Sequence, residues 1–166
     1  MVKIYIAGPD VFELDSIEIG QRYKKVCQSY GFEGLYPLDN EISFDNKPQI
    51  IAQNIYKANI ELIHQADIVI ANLNSFRGKE ADSGTIWECG YAKALGKKVY
   101  GYMNETKSYL DSFKKNEKLP IENSEFTDLQ NRVIENFDYP INLMIACSVE
   151  EIIEGSFVDV LKVIED

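Results

Sequence analysis

Asp67–Leu73 reads DIVIANL, a continuous apolar run. A strand of this kind is covered on both faces, which places it inside a parallel sheet flanked by helices. Upstream, Pro48–Gln65 carries Ile51, Ile55, Ala58 and Leu62 on one face at helical period, with Asn59 beside them. Downstream, the pattern predicts a helix from Gly84 to Leu95, ended by Gly96 as its C-terminal cap. Lys98–Met103 follows as a further strand. Towards the N-terminus, Val2–Ala7 reads as a strand cut off by Gly8-Pro9 and Ser16–Tyr30 as a helix. Gly34–Pro37 reads as a short second strand.

Beyond Met103 the periodicity loosens. Asn104–Tyr139 is polar and predicts one or two exposed helices with a joint around Lys118–Asn123. YPINLMIACSV reads as a turn and a short apolar segment holding the fifth strand, and Glu150–Ile164 reads as a closing helix. The alternation implies right-handed βαβ units and a five-stranded parallel sheet with helices on both faces. With 166 residues and no linker or repeat, residues 1–166 are expected to form a single domain.

Composition narrows the partners. A formal net charge of −10 repels nucleic-acid backbones and anionic membranes, so neither is expected as a partner. The odd set Cys27, Cys89 and Cys147, with no CxxC pair, predicts reduced thiols in a cytoplasmic protein and no zinc site. The single histidine, His64, reads as an ordinary helix-end residue. The N-terminal apolar run is too short for a signal peptide, and no stretch approaches the roughly 18 apolar residues of a membrane span.

Ligands of such sheets bind outside the carboxyl ends of the strands, near the switch in strand order. Gly8–Phe12, Asp39–Glu41, Asn72–Glu88 and the loop after Met103 are therefore expected to line the site. The first of these, GPDVF, fits neither GxGxxG nor the Walker pattern, and Asp10 would repel phosphate. Phe12 with Tyr5 can form an apolar wall for a base or sugar, or both can be core aromatics. Asp39-Asn40 reads first as turn chemistry. Asn54, Asn59, Asn72 and Asn74 could each read a heterocycle edge or serve structure alone.

Asp82 and Glu88 are the sharper pair. Ser83 or Thr85 is expected to cap the helix, with Glu88 close enough to its start for the dipole to favour the ionised form. A carboxylate kept ionised at a strand-end crevice suits attack on an electrophilic sugar carbon, with Asp82 orienting a hydroxyl or handling a proton. On spacing alone, capping and surface charge are the leading account of both residues.

Several ordered segments carry a resemblance: KIYIAGPDVF, PLDNE, NIELIHQADIVIANLNSFRG, DSGTIWECGYAKALGKKV and YPINLM. Over nearly its whole length the chain resembles the nucleoside 2-deoxyribosyltransferase family. That resemblance implies a flavodoxin-like sheet and transfer of 2-deoxyribose between nucleobases in nucleotide salvage, without cofactor or metal. It makes Glu88 the nucleophile, Asp82 the acid that contacts sugar hydroxyls and handles the proton, and Tyr5 the residue that holds the Glu carboxylate. Gly8, Phe12, Asn59 and Gly84 complete the substrate-contacting set. Asn142 and Met144 match residues that the family supplies from a neighbouring subunit, which implies a homo-oligomer, a dimer or hexamer. Deoxynucleosides and free nucleobases are the implied partners.

There are departures. Asn59 stands where some members carry Asp, and Glu41 where some carry Gln. The chain ends in Glu165-Asp166, without a terminal tyrosine. SFRG and the polar 104–139 segment resemble a subgroup feature. Two alternatives share the crevice: a deoxynucleoside 5′-monophosphate N-glycosidase using the same Glu with water, and a non-catalytic nucleoside-binding domain.

Overall fold

The computed structural model describes residues 1–40, 45–114, 119–122 and 125–165. Five parallel strands form the central sheet in the order β2-β1-β3-β4-β7. They are β1 (Lys3–Ala7), β2 (Glu33–Leu35), β3 (Ile68–Asn72), β4 (Lys98–Met103) and β7 (Glu151–Glu154). Helices α1 (Ser16–Ser29) and α6 (Phe157–Glu165) cover one face; α2 (Pro48–Gln65), α3 (Ser83–Ala94) and the short α5 (Leu143–Ala146) cover the other. The chain steps from β1 to β2, then crosses back past β1 to β3. The strand order therefore reverses at the β1–β3 pair, where a ligand crevice is expected.

Side chains of β1 and β3 alternate between two cores. Tyr5, Ala7, Val69 and Ala71 point to the α2/α3 face, while Ile4, Ile6, Ile68 and Ile70 point to the α1/α6 face. Burial on both faces explains the unbroken apolar reading of DIVIANL. It also sets the side on which Tyr5 emerges.

Local signals account for the helix ends. Pro48 opens α2 at its first turn, where its missing N–H has no intrahelical role. Gly96 follows α3 with φ +75, the left-handed conformation that glycine adopts without steric penalty.

Three expectations change. First, the fifth strand is Glu151–Glu154, and YPINLMIACSV instead contributes α5, capped by Asn142. Glu150–Ile164 is not one helix: the free edge of β4 takes its first residues as a strand, with Glu150 N–H bonded to Val99 O and Gly155 N–H to Met103 O. Gly155, at φ +145, ends that strand before α6 begins. Second, among the described residues the 104–139 segment holds one helix, α4 (Tyr109–Lys114), within the expected one or two, but adds an antiparallel pair, β5 (Ile121–Glu122) and β6 (Glu125–Phe126). The two ends of its expected joint at Lys118–Asn123 lie outside the described residues. Third, β2 stops at Leu35, because Tyr36 N–H turns back onto the Asp39 carboxylate and Pro37 opens a 3-10 turn.

Candidate active site

Residue Tyr5 leaves the middle of β1 towards the α2/α3 face and is fully buried. Its hydroxyl donates to Glu88 Oε1 at 2.7 Å, across 83 residues of sequence. Burial, then the neighbouring Glu88 charge, pushes the phenol far above its ordinary range, so Tyr5 stays a donor.

Glu88 lies beyond the first turn of α3, which starts at Ser83. It is therefore past the orphan N–H groups whose dipole would hold it ionised. Instead, burial pushes its carboxyl up to about 7; the Tyr5 hydrogen bond opposes this and the Asp82 charge adds to it. The expectation of a carboxylate kept ionised by the helix start gives way to one poised to change charge near neutrality. Among the described residues no hydrogen bond reaches Glu88 Oε2.

The cap of α3 is Asp82, not Ser83 or Thr85. Its Oδ2 accepts from Thr85 N–H at 2.8 Å and from the Thr85 hydroxyl at 3.0 Å. Both bonds use one oxygen, so Asp82 can cap and still accept through the other. Gly84 follows, where an added Cβ would stand 3.1 Å from Asp82 Oδ2.

Glu88 opens onto a cavity of about 380 Å³ between α2 and α3, lined by Tyr56, Asn59, Ile60, Ile63, Gly84, Trp87 and Glu88. Tyr56, Asn59 and Ile63 recur at i, i+3 and i+7 on α2, a spacing legible as one helical face. Trp87 stacks on Tyr91 with centroids 5.1 Å apart, Tyr91 stacks on His64, and Tyr56 tilts against Trp87. His64 Nε2 lies 2.7 Å from the Tyr91 hydroxyl in the last turn of α2, as a helix-end histidine.

Asn59 also lines a second cavity of about 250 Å³ against Leu38 and Asn40. Its Oδ1 is buried without a hydrogen-bond partner. Such an atom costs about 1–3 kcal/mol unless something donates to it.

Other expected residues lie elsewhere. Phe12 does not join Tyr5 in a wall: it sits in the 3-10 turn Pro9–Phe12, 54 % exposed, and stacks on Phe76 with the Arg77 guanidinium over both rings. Gly8 packs the β1 loop onto β3, since a Cβ there would meet Asp10 Oδ2 at 2.6 Å and Asn72 Cβ at 2.9 Å. Asn72 donates to Asp10 and accepts from Asn74, and Asn74 accepts from Asn104 N–H. Those amides and Asp10 are internal bracing at the strand ends. Asn54 is exposed on α2. Asp39 serves its own turn and pairs with Lys24.

Asn142 caps α5 and Met144 lies in it; the helix packs beside α3 but does not line the Glu88 cavity. Met144 is 73 % exposed. Glu41, the Glu165 side chain and Asp166 lie outside the described residues. Among the described residues, no three His, Cys, Asp or Glu side chains group as a metal site, and no helix is long and apolar enough to cross a membrane.

A family model described as nucleoside 2-deoxyribosyltransferase matches residues 4–144. A 2-desoxiribosyltransferase structure from Leishmania mexicana is 31 % identical and superposes with a TM-score of 0.79, covering 99 % of this chain and 97 % of that one. A 2-deoxyribosyltransferase from Bacillus psychrosaccharolyticus shares the fold at 22 % identity and a TM-score of 0.60, over 99 % of this chain and 91 % of its own. An uncharacterized protein of Schizosaccharomyces pombe is 28 % identical over 109 residues, 64 % of this chain. That match spans 52 % of the yeast protein's length.

Proposed function

The chain belongs to the nucleoside 2-deoxyribosyltransferase family, and from that premise we propose that it moves 2-deoxyribose between nucleobases through an ester on Glu88. The observation that carries the reading is the Tyr5–Glu88 hydrogen bond at the wall of a cavity between α2 and α3. Tyr5 holds one carboxylate oxygen and leaves Oε2 for attack on C1′ of a deoxynucleoside. The C1′–N bond breaks, its electron pair passes to the base, and the base takes up a proton with Asp82 as the handling group. An acceptor base then attacks C1′ from the opposite face and gives up its N–H proton, with Asp82 again the handling group. The ester bond breaks, Glu88 returns as a carboxylate, and the two inversions give net retention.

Asn59 is assigned to the base, whose ring N–H or amino group would satisfy its orphaned Oδ1. Gly84, on the cavity wall beside Glu88, leaves room for the sugar. Asn142 and exposed Met144 serve a neighbouring subunit, because neither lines the cavity of its own chain. The active form is thus a homo-oligomer, acting in cytoplasmic salvage. The acid in the first loop, Asp10, favours nucleosides over their 5′-phosphates.

Incubation with deoxyinosine alone, followed by peptide mass spectrometry, is expected to show a deoxyribosyl adduct on Glu88. Adding adenine should release deoxyadenosine. Free hypoxanthine as the sole product, with no new nucleoside, would make the protein a hydrolase. Turnover by Glu88→Ala would remove the covalent mechanism altogether.

A further inference from the structure

The polar 104–139 segment makes one set of contacts that reaches a proposed substrate-binding residue. Glu135 Oε1 accepts from Asn142 Nδ2 at 2.6 Å, and Glu135 Oε2 accepts from Leu143 N–H at 2.9 Å. Asn142 Oδ1 in turn accepts from Met144 N–H at 3.0 Å. These bonds leave the Asn142 amide one orientation. Flipping it would set Oδ1 against a carboxylate and the amino group against a backbone N–H, pairing acceptor with acceptor and donor with donor.

Glu135 is itself firmly placed. Its neighbour Ile134 is buried, and Ile134 N–H bonds to Phe126 O. Thr127 bridges Val133, and the Asp128 carboxylate ties the intervening turn through Gln130 N–H, Arg132 N–H and Arg132 Nε. A small antiparallel unit therefore presents one carboxylate to the PINLM turn.

We propose that Glu135 is a positioning residue for deoxyribosyl transfer: it locks the Asn142 amide in the orientation that reads a sugar hydroxyl of the substrate. The inference rests on the reading that Asn142 reaches the sugar. Once Glu135 and Met144 N–H are served, Asn142 keeps one N–H and one oxygen lone pair. A hydroxyl, which both donates and accepts, is the complement of that remainder. Glu135 carries out this task by aiming Asn142 and does not itself touch the substrate.

Steady-state kinetics of Glu135→Gln, Asn142→Ala and the double variant, with deoxyinosine and adenine, test this. Glutamine keeps the volume, but its amino group must face either Asn142 Nδ2 or Leu143 N–H, so one of the two bonds is lost. Glu135→Gln is expected to lower kcat/KM about 10-fold or more, mainly through KM for the deoxynucleoside, as follows from losing a charge-assisted bond that orders a binding group. The double variant is expected to match Asn142→Ala within about 2-fold, because the two act through one contact. Full activity of Glu135→Gln beside an impaired Asn142→Ala overturns the inference alone. A double variant showing the product of the two single losses also overturns it, since it would assign Glu135 a general structural role. An unimpaired Asn142→Ala removes both the inference and the reading beneath it. Glu135→Asp, which keeps the charge but shortens the reach, is expected to fall between wild type and Glu135→Gln; wild-type kinetics for it would count against the geometry.

Discussion

Replacing Glu88 with glutamine separates what this carboxylate does for the reaction from what it does to the fold. Burial raises its pKa from 4.5 to about 7. Between those values the folded chain binds a proton that the unfolded chain releases, so stability falls as pH rises through this window. Above about 7 the full burden remains, about 3 kcal/mol, since each pKa unit corresponds to 1.36 kcal/mol. Glutamine has nearly the same volume, can accept from Tyr5 and carries no charge. Glu88→Gln should therefore be more stable than wild type by about 1 kcal/mol near pH 5, rising to about 3 kcal/mol near pH 8. Urea unfolding followed by circular dichroism, at matched protein concentration, measures this directly. The same variant should lose transfer activity. A stability difference that is flat with pH, or shrinks as pH rises, would refute the assignment of Glu88 as a buried acid titrating near neutrality.

Tyr5→Phe removes the hydrogen bond that favours the charged form of Glu88, so the rising limb of the activity profile should move from about 7 to about 8. Activity near neutrality should then fall about 5-fold from ionisation alone and recover at higher pH; an unmoved limb in a pH–rate profile would contradict this. Dilution monitored by analytical ultracentrifugation alongside activity should show both decline together. A fully active monomer would remove Asn142 and Met144 from the site.

The positions of residues along their own elements were readable from sequence, because local chemistry decides them. DIVIANL declared its strand and its two-sided burial, Pro48 and Gly96 marked helix ends, and helical spacing put Ile51, Ile55, Ala58 and Leu62 on one face of α2 with Asn59 beside them. The ordered motifs likewise singled out Glu88, Asp82 and Tyr5 as the residues to watch. Competition between distant segments was not readable. EIIE and the segment before it are both short and apolar enough for the last strand, and the free edge of β4 selected EIIE by supplying hydrogen bonds. Charge state is decided at the same level. Read along the helix, Glu88 belongs near a dipole that keeps it ionised. Packing of Tyr5, α2 and α3 around it removes water instead, and burial outweighs the dipole. Sequence alone therefore singled out the acids proposed to carry the chemistry. The tertiary structure decided which one caps a helix, which one is pushed towards neutrality, and that a carboxylate from the polar segment, Glu135, grips the turn bearing Asn142. Solvent exclusion and contacts across many residues exist only once the chain has folded.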